Sequence, residues 1–207
     1  TPQLLLVSDL PLRGLARKDT LPMPRAIALL LEQRNFMAGG FTVGYQSCDS
    51  ATAAGGQSDF FRCGTNAKAY ARNLRIVGVV GSYQSFCTYL QLPITNRAEG
   101  GPLAMISPSN THWELTEDDA LYPTGVRNYV RIAAQDYLLA VGQAALVRSL
   151  GRRNVFVVSP RDAPYGPAFP AKLRTAARRL GVRVAGAAVY DSDRRSYTAF
   201  ARAVARA

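Results

Sequence analysis

Two stretches of this chain place hydroxyl groups directly after apolar runs. Ile76-Val-Gly-Val-Val-Gly81 leads into Ser82 and Ser85, and Leu103-Ala-Met-Ile106 leads into Ser107, Ser109 and Thr111. Ser82, Ser85, Ser109 and Thr111 can donate to and accept from a polar ligand. Backbone N–H groups freed where a strand ends and a helix begins add further donors. Neutral hydroxyls and helix N-terminal amides suit a small carboxylate or zwitterion, because they donate without a fixed countercharge. The other chemistry open to such residues is nucleophilic catalysis, which needs a base within reach of a serine or cysteine. His112 is the single histidine and follows Thr111, so Ser85 or Cys87 with His112 is the pair to weigh. No Gly-x-Ser-x-Gly elbow is present, and no paired carboxylates flank these loops. The residues therefore read as a binding site, not an enzyme, with no cofactor.

The cysteines are Cys48, Cys63 and Cys87. Their spacing with His112 matches no close-paired zinc pattern, so no metal is expected. One disulfide in an oxidising compartment is the favoured reading, with buried free thiols as the alternative. The loops carrying the cysteines are expected to converge beside the edge of the first sheet. Cys63 with Cys48 or with Cys87 is the expected pairing, and spacing does not choose between them.

The elements that must hold these residues alternate along the chain. Gln3 to Ser8 reads as a buried strand, followed by the loop Asp9-Leu-Pro-Leu-Arg-Gly14. Pro24 suits a first helical turn, and Ala26 to Arg34 reads as a helix. Phe41 to Gln46 is a second strand breaking at Ser47-Cys48-Asp49, and Ala51 to Ser58 is loop. Phe60 to Arg72 is a helix. The Ile76 strand, a helix from Phe86 to Arg97 and the Leu103 strand complete a β-α-β-α-β-α-β series. Such alternation argues a parallel sheet, whose carboxyl edge is where small ligands bind.

Beyond residue 112 the pattern changes. Glu114 to Asp119 is a polar break, and Tyr129 to Ile132 is a short strand. Asp136 is placed to cap a long helix, Tyr137 to Leu150. Asn154 to Ser159, Phe169 to Leu180 and Val182 to Tyr190 read as a second strand-helix-strand set, with a last helix from 196. The fold class is thus α/β, with lobe boundaries expected at 1–118 and 133–207 and a hinge crossover at 119–132. Two clear strands make the second lobe read as incomplete, as part of a longer chain.

Composition bounds the class of protein. The chain is 48% hydrophobic and 19% charged, values of a globular protein. Its longest apolar helical run, Ala26 to Leu31, is far shorter than the ~18 residues a membrane span requires. Thr1 leads straight into a strand, so the numbering reads as that of a mature or trimmed form. Net charge is +11, concentrated in residues 148–207, which carry 13 basic and 3 acidic groups. Few aromatics interleave those arginines, and no helix-turn-helix or zinc-finger spacing is present, so they read as a solvated face without a nucleic-acid partner.

Taken together, Asp9-Leu-Pro-Leu-Arg-Gly14, Gly44-Tyr-Gln-Ser-Cys-Asp49, Gly78-Val-Val-Gly81 with Ser85, Ile106-Ser-Pro-Ser-Asn-Thr111 with Glu114-Leu-Thr116, and Asp162-Ala-Pro-Tyr-Gly166 carry a family resemblance. The chain resembles type I periplasmic-binding proteins, in particular the Leu/Ile/Val-binding proteins of branched-chain amino-acid ABC transporters. The resemblance implies two doubly wound parallel-sheet lobes that close on a small solute, with an ABC permease as membrane partner. It implies an extracellular or periplasmic location, secreted or lipid-anchored. Ser85 would then donate to the ligand carboxylate, the Ser109 backbone and Thr111 hydroxyl would take further polar contacts, and Tyr165 would close from the second lobe. Arg13, at the cleft mouth, would suit a more anionic ligand. Phe86 and Cys87 depart from the small hydroxyl residues usual after the serine. The same fold also serves as the ligand-sensing part of membrane receptors, which is the alternative reading.

Overall fold

A computed structural model describes residues 1–53, 55–161, 168–191 and 196–206. They form two compact units, Thr1–Ala133 and Ala134–Ala207.

The first unit is built on a sheet whose strands are β1 (Leu4–Leu10), β2 (Met37–Ala38), β3 (Phe41–Asp49), β4 (Ile76–Gly81), β5 (Ala104–Ser107) and β6 (Tyr129–Arg131). Their spatial order is β2-β3-β1-β4-β5-β6, parallel except where β2 pairs antiparallel with β3. The helices are α1 (Arg17–Thr20), α2 (Pro22–Gln33), α3 (Phe60–Arg72), α4 (Ser85–Thr95) and α5 (Glu114–Glu117). Val7, Val79, Leu92, Met105, Leu115 and Tyr129 meet in one buried cluster. Removing their side chains from water is the main force fixing the sheet beneath its helices.

Several boundaries differ from the sequence reading, each for a non-local reason. Asp9 and Leu10 are strand, because β1 has parallel partners on both sides: Asp9 lies opposite Cys48 and Gly81. The same pairing carries β3 through Ser47, Cys48 and Asp49 instead of breaking there. The helix expected from Ala26 starts at Pro22, where a missing N–H costs nothing. α4 starts at Ser85, one residue before the expected Phe86, and the polar break at 114–119 contains the short α5. The helix α3 spans the residues expected, and Asp59 caps it by accepting from the Arg62 N–H at 2.9 Å.

Cys63 and Cys87 form a disulfide, leaving Cys48 free. The three cysteines do not sit on converging loops. The bridge joins helix α3 to helix α4, and Cys48 lies within β3. Both bridged residues are fully buried.

The second unit has two parallel strands, β7 (Asn154–Pro160) and β8 (Arg183–Tyr190), with helices α6 (Asp136–Ser149), α7 (Ala168–Arg179) and α8 (Thr198–Ala205). Ala140, Ala144, Val157, Leu173, Ala176, Ala177 and Val182 form its core. Asp136 is the first residue of α6, not its cap. Gln135 holds the cap position, and its side chain does not cap the helix. No helix among the described residues is long and apolar enough to cross a membrane.

Candidate functional site

The carboxyl ends of β1, β3, β4 and β5 bring together one set of loops. Ser85 opens α4 immediately after the β4 turn, and the cap residue Gln84 gives no side-chain hydrogen bond to the helix. The first amides of α4 thus lack a cap from the Gln84 side chain, and the helix dipole adds partial positive charge there. The His112 main-chain N–H reaches Ser85 Oγ at 3.4 Å, so the loop after β5 touches the start of α4. Ser109 is in the same loop, and its hydroxyl donates to the Tyr83 carbonyl at 2.6 Å. Thr111, half-buried, lies between Asn110 and His112. Structure therefore brings Ser85 together with the loop that carries Ser109 and Thr111.

Beneath these residues lies a buried polar lattice, of which the sequence reading singled out Ser82 as a ligand-facing hydroxyl; the structure instead buries Ser82 and pairs its hydroxyl with Thr88. Thr88 Oγ1 is 2.7 Å from Ser82 Oγ and accepts from Asn110 Nδ2 at 2.7 Å. Ser107 Oγ accepts from the Asn110 N–H at 3.0 Å and lies 2.9 Å from the Ser82 carbonyl. Ser82, Thr88, Ser107 and Asn110 are all nearly inaccessible. Buried hydroxyls left unpaired would be costly, so this mutual satisfaction fixes both strand tips against the first turn of α4. The available signal was the pair of small polar residues at matching positions past each apolar run. Arg131 holds the same loop from β6, donating to the His112 carbonyl and to Thr116 Oγ1, each at 2.6 Å.

Arg13 is placed differently from Ser85. Its Nε lies 2.8 Å from Asp49 Oδ2. Asp49 Oδ1 also accepts from the Leu12 and Ala51 N–H groups, both at 2.9 Å. One carboxylate thereby organises the loops after β1 and β3, and the Arg13 charge is largely compensated at home. Gly14 and Gly56 lock the same loops: both have positive φ, and a Cβ on Gly14 would stand 2.0 Å from the Gly56 Cα. From this loop pair, Ser50 Oγ meets Ser58 Oγ at 2.9 Å, and Ser58 donates to Gln84 Oε1. The chain of contacts ends at the residue preceding Ser85. Tyr165 lies outside the described residues.

Asp9 is the buried charge of the unit. Its carboxylate accepts from Asn66 Nδ2 at 2.8 Å and from Gln91 Nε2. Burial pushes its pKa up to about 6, against the pull of those hydrogen bonds. Gly81 must be glycine beside it, since a Cβ would stand 2.5 Å from the Asp9 carbonyl. Gln91 also donates to the Cys63 carbonyl at 3.1 Å, adding a second tie between α3 and α4 next to the disulfide.

The contact on Ser85 Oγ comes from the His112 amide, while the His112 imidazole stacks beside Trp113 and its Nδ1 lies 3.9 Å from Glu114 Oε2. The geometry at Ser85 is that of a helix start held against the loop after β5.

No protein-family model matches the chain, and no curated protein matches it. Solved structures do. An ABC-transporter substrate-binding protein from Desulfitobacterium hafniense, in complex with Leu, superposes with a TM-score of 0.77 at 19% identity, covering 98% of this chain and 54% of that one. A leucine-binding protein from Thermotoga maritima gives 0.73 at 15%, covering 98% and 53%. A solute-binding protein from R. palustris, in complex with 4-hydroxybenzoate, gives 0.76 at 13%, covering 98% and 51%. These are substrate-binding proteins of ABC transporters with the type I periplasmic-binding fold, and this chain shares that fold. It spans about half the length of the structures it resembles.

Proposed function

We propose that the chain belongs to an extracytoplasmic solute-binding protein of an ABC importer that takes up a small amino acid or a related carboxylate. One observation carries this reading: the N-terminus of α4, with Ser85, meets the β5 loop bearing Ser109 and Thr111 at the carboxyl edge of a parallel sheet. That edge offers hydroxyl and amide donors and a helix dipole to an anionic group. Ser85 holds the ligand carboxylate, and the Ser109 backbone and Thr111 take its remaining polar atoms. Arg13 acts from the rim through its pair with Asp49, and Tyr165 closes over the ligand. Residues 1–118 form the ligand-binding lobe, 119–132 a hinge crossover and 133–207 part of a second lobe. The functional partner is a membrane permease, and the task is binding without chemistry.

The fold neighbours bound to Leu and to 4-hydroxybenzoate support a carboxylate as the shared ligand feature. The test is a thermal-shift screen of the full-length protein against amino acids and small aliphatic and aromatic carboxylates. A ligand that binds only the folded state raises Tm by mass action. Ser85→Ala and Thr111→Ala are each expected to weaken binding by about 1–3 kcal/mol, the usual cost of losing a hydrogen bond to a charged group. A shift that survives both substitutions unchanged refutes this site.

A further inference from the structure

The second unit has an end of a single charge sign. Asn154 and Arg183 stand opposite each other where β7 and β8 begin, and the Arg183 N–H donates to the Arg153 carbonyl at 2.7 Å. A cavity of about 350 Å³ opens there, lined by Arg148, Gly151, Arg152, Arg153, Leu180 and Gly181. Arg148 donates to the Leu180 carbonyl at 2.9 Å and so joins the end of α6 to the turn after α7. Arg152 and Arg153 of that lining are exposed, as are Arg178 and Arg183. Residues 137–161 and 163–190 contain no aspartate or glutamate. Among the described residues, none of these five arginines has a carboxylate within ion-pairing distance.

A second observation falls on the same end. Leu146 and Leu150, four residues apart at the end of α6, are 58% and 66% exposed. Leu150 directly precedes Gly151-Arg152-Arg153. Apolar side chains flanked by arginines fit the boundary between lipid headgroups and acyl chains, where leucines insert and guanidinium forks grip phosphates. A nucleic acid would instead call for aromatic platforms, and the cavity lining has none.

We propose that this end of the second unit docks on an anionic lipid bilayer, with the arginines on phosphate headgroups and Leu146 and Leu150 in the interface. The surface lies on the second unit, and the proposal does not depend on the assignment of the ligand site. The test is vesicle flotation of the full-length protein with phosphatidylglycerol-containing or pure phosphatidylcholine vesicles. Binding to the anionic vesicles alone, weakening as salt is raised, is expected. Arg152→Gln with Arg153→Gln should reduce partitioning roughly thirty-fold, from the typical contribution of each basic residue near such a surface. Leu150→Ser should reduce it while leaving the salt dependence unchanged. Unaltered thermal unfolding of each variant shows that the fold is retained. Absence of binding, equal binding to neutral vesicles, or insensitivity to the arginine pair overturns the proposal. So does displacement by millimolar inorganic phosphate, which marks a small-anion site, or by an oligonucleotide with Leu150→Ser silent, which marks a nucleic-acid face.

Discussion

Removing the disulfide should loosen the first unit by an amount its position in the chain allows to be worked out. Cys63 and Cys87 are separated by 24 residues. Cross-linking a loop of that size lowers the entropy of the unfolded chain by an amount worth about 3–4 kcal/mol at room temperature. Both sulfurs are buried, so replacing them with alanine adds a packing loss, whereas reduction of the wild type adds almost none. The readout is convenient because Trp113 is the only tryptophan and lies in the first unit. Guanidinium unfolding followed by its fluorescence reports that unit without averaging over the second. With a slope of roughly 4 kcal/mol per molar, the midpoint should fall by about 1 M in Cys63→Ala/Cys87→Ala and by slightly less on reduction. Cys48→Ala should show no such drop. Thiol titration of the unfolded, unreduced protein should find one thiol. A midpoint change below about 0.2 M, or three titratable thiols, refutes the reasoning.

Two further outcomes follow from Asp9 and Asp49. Asp9 has a folded pKa of about 6 against the usual 3.8, so its contribution to stability is fully present below 3.8 and is lost as pH rises through about 6. The difference in unfolding free energy between wild type and Asp9→Asn, followed by Trp113 fluorescence, should therefore move by about 2–3 kcal/mol against the wild type between pH 3.5 and 7.5. A pH-independent difference would remove the assignment. Asp49→Ala strands the Leu12 and Ala51 amides as well as Arg13, so it should cost about 2–3 kcal/mol in chemical unfolding. Arg13→Ala loses only an exposed ion pair and should cost less than about 1 kcal/mol. Equal losses would mean that Asp49 is not the organiser of the two loops.

Much of the fold can be read from the sequence because its strands are apolar runs and its helices have local stop signals. Phe60–Arg72 is legible to the residue, and the structure adds Asp59 as its cap. What escaped was set by distant partners. Asp9, Cys48 and Asp49 are poor strand residues by type, and only pairing with β1 and its neighbours makes them strand. The two-residue β2 has too little pattern to see. Among the cysteines, 24 residues and 15 residues of separation look equally good to a sequence, and helix packing decides. At the site, Ser85, Ser109 and Thr111 stood out because each follows an apolar run. In the lattice below them, Ser82 stood out for the same reason but is buried, and Thr88, Ser107 and Asn110 look like ordinary helix and turn residues. Arg13 looked free because its partner is far along the chain.

That lattice has a practical consequence for redesign. Ser82, Thr88, Ser107 and Asn110 satisfy one another, so altering any one strands the rest, and selection for a new ligand would be swamped by unfolded clones. A combinatorial library is better confined to Tyr83, Phe86 and Trp113, which neighbour the site in sequence without belonging to the interlocked set. Because one rigid frame supports both strand tips, substitutions at those three positions should behave as nearly independent dials on selectivity.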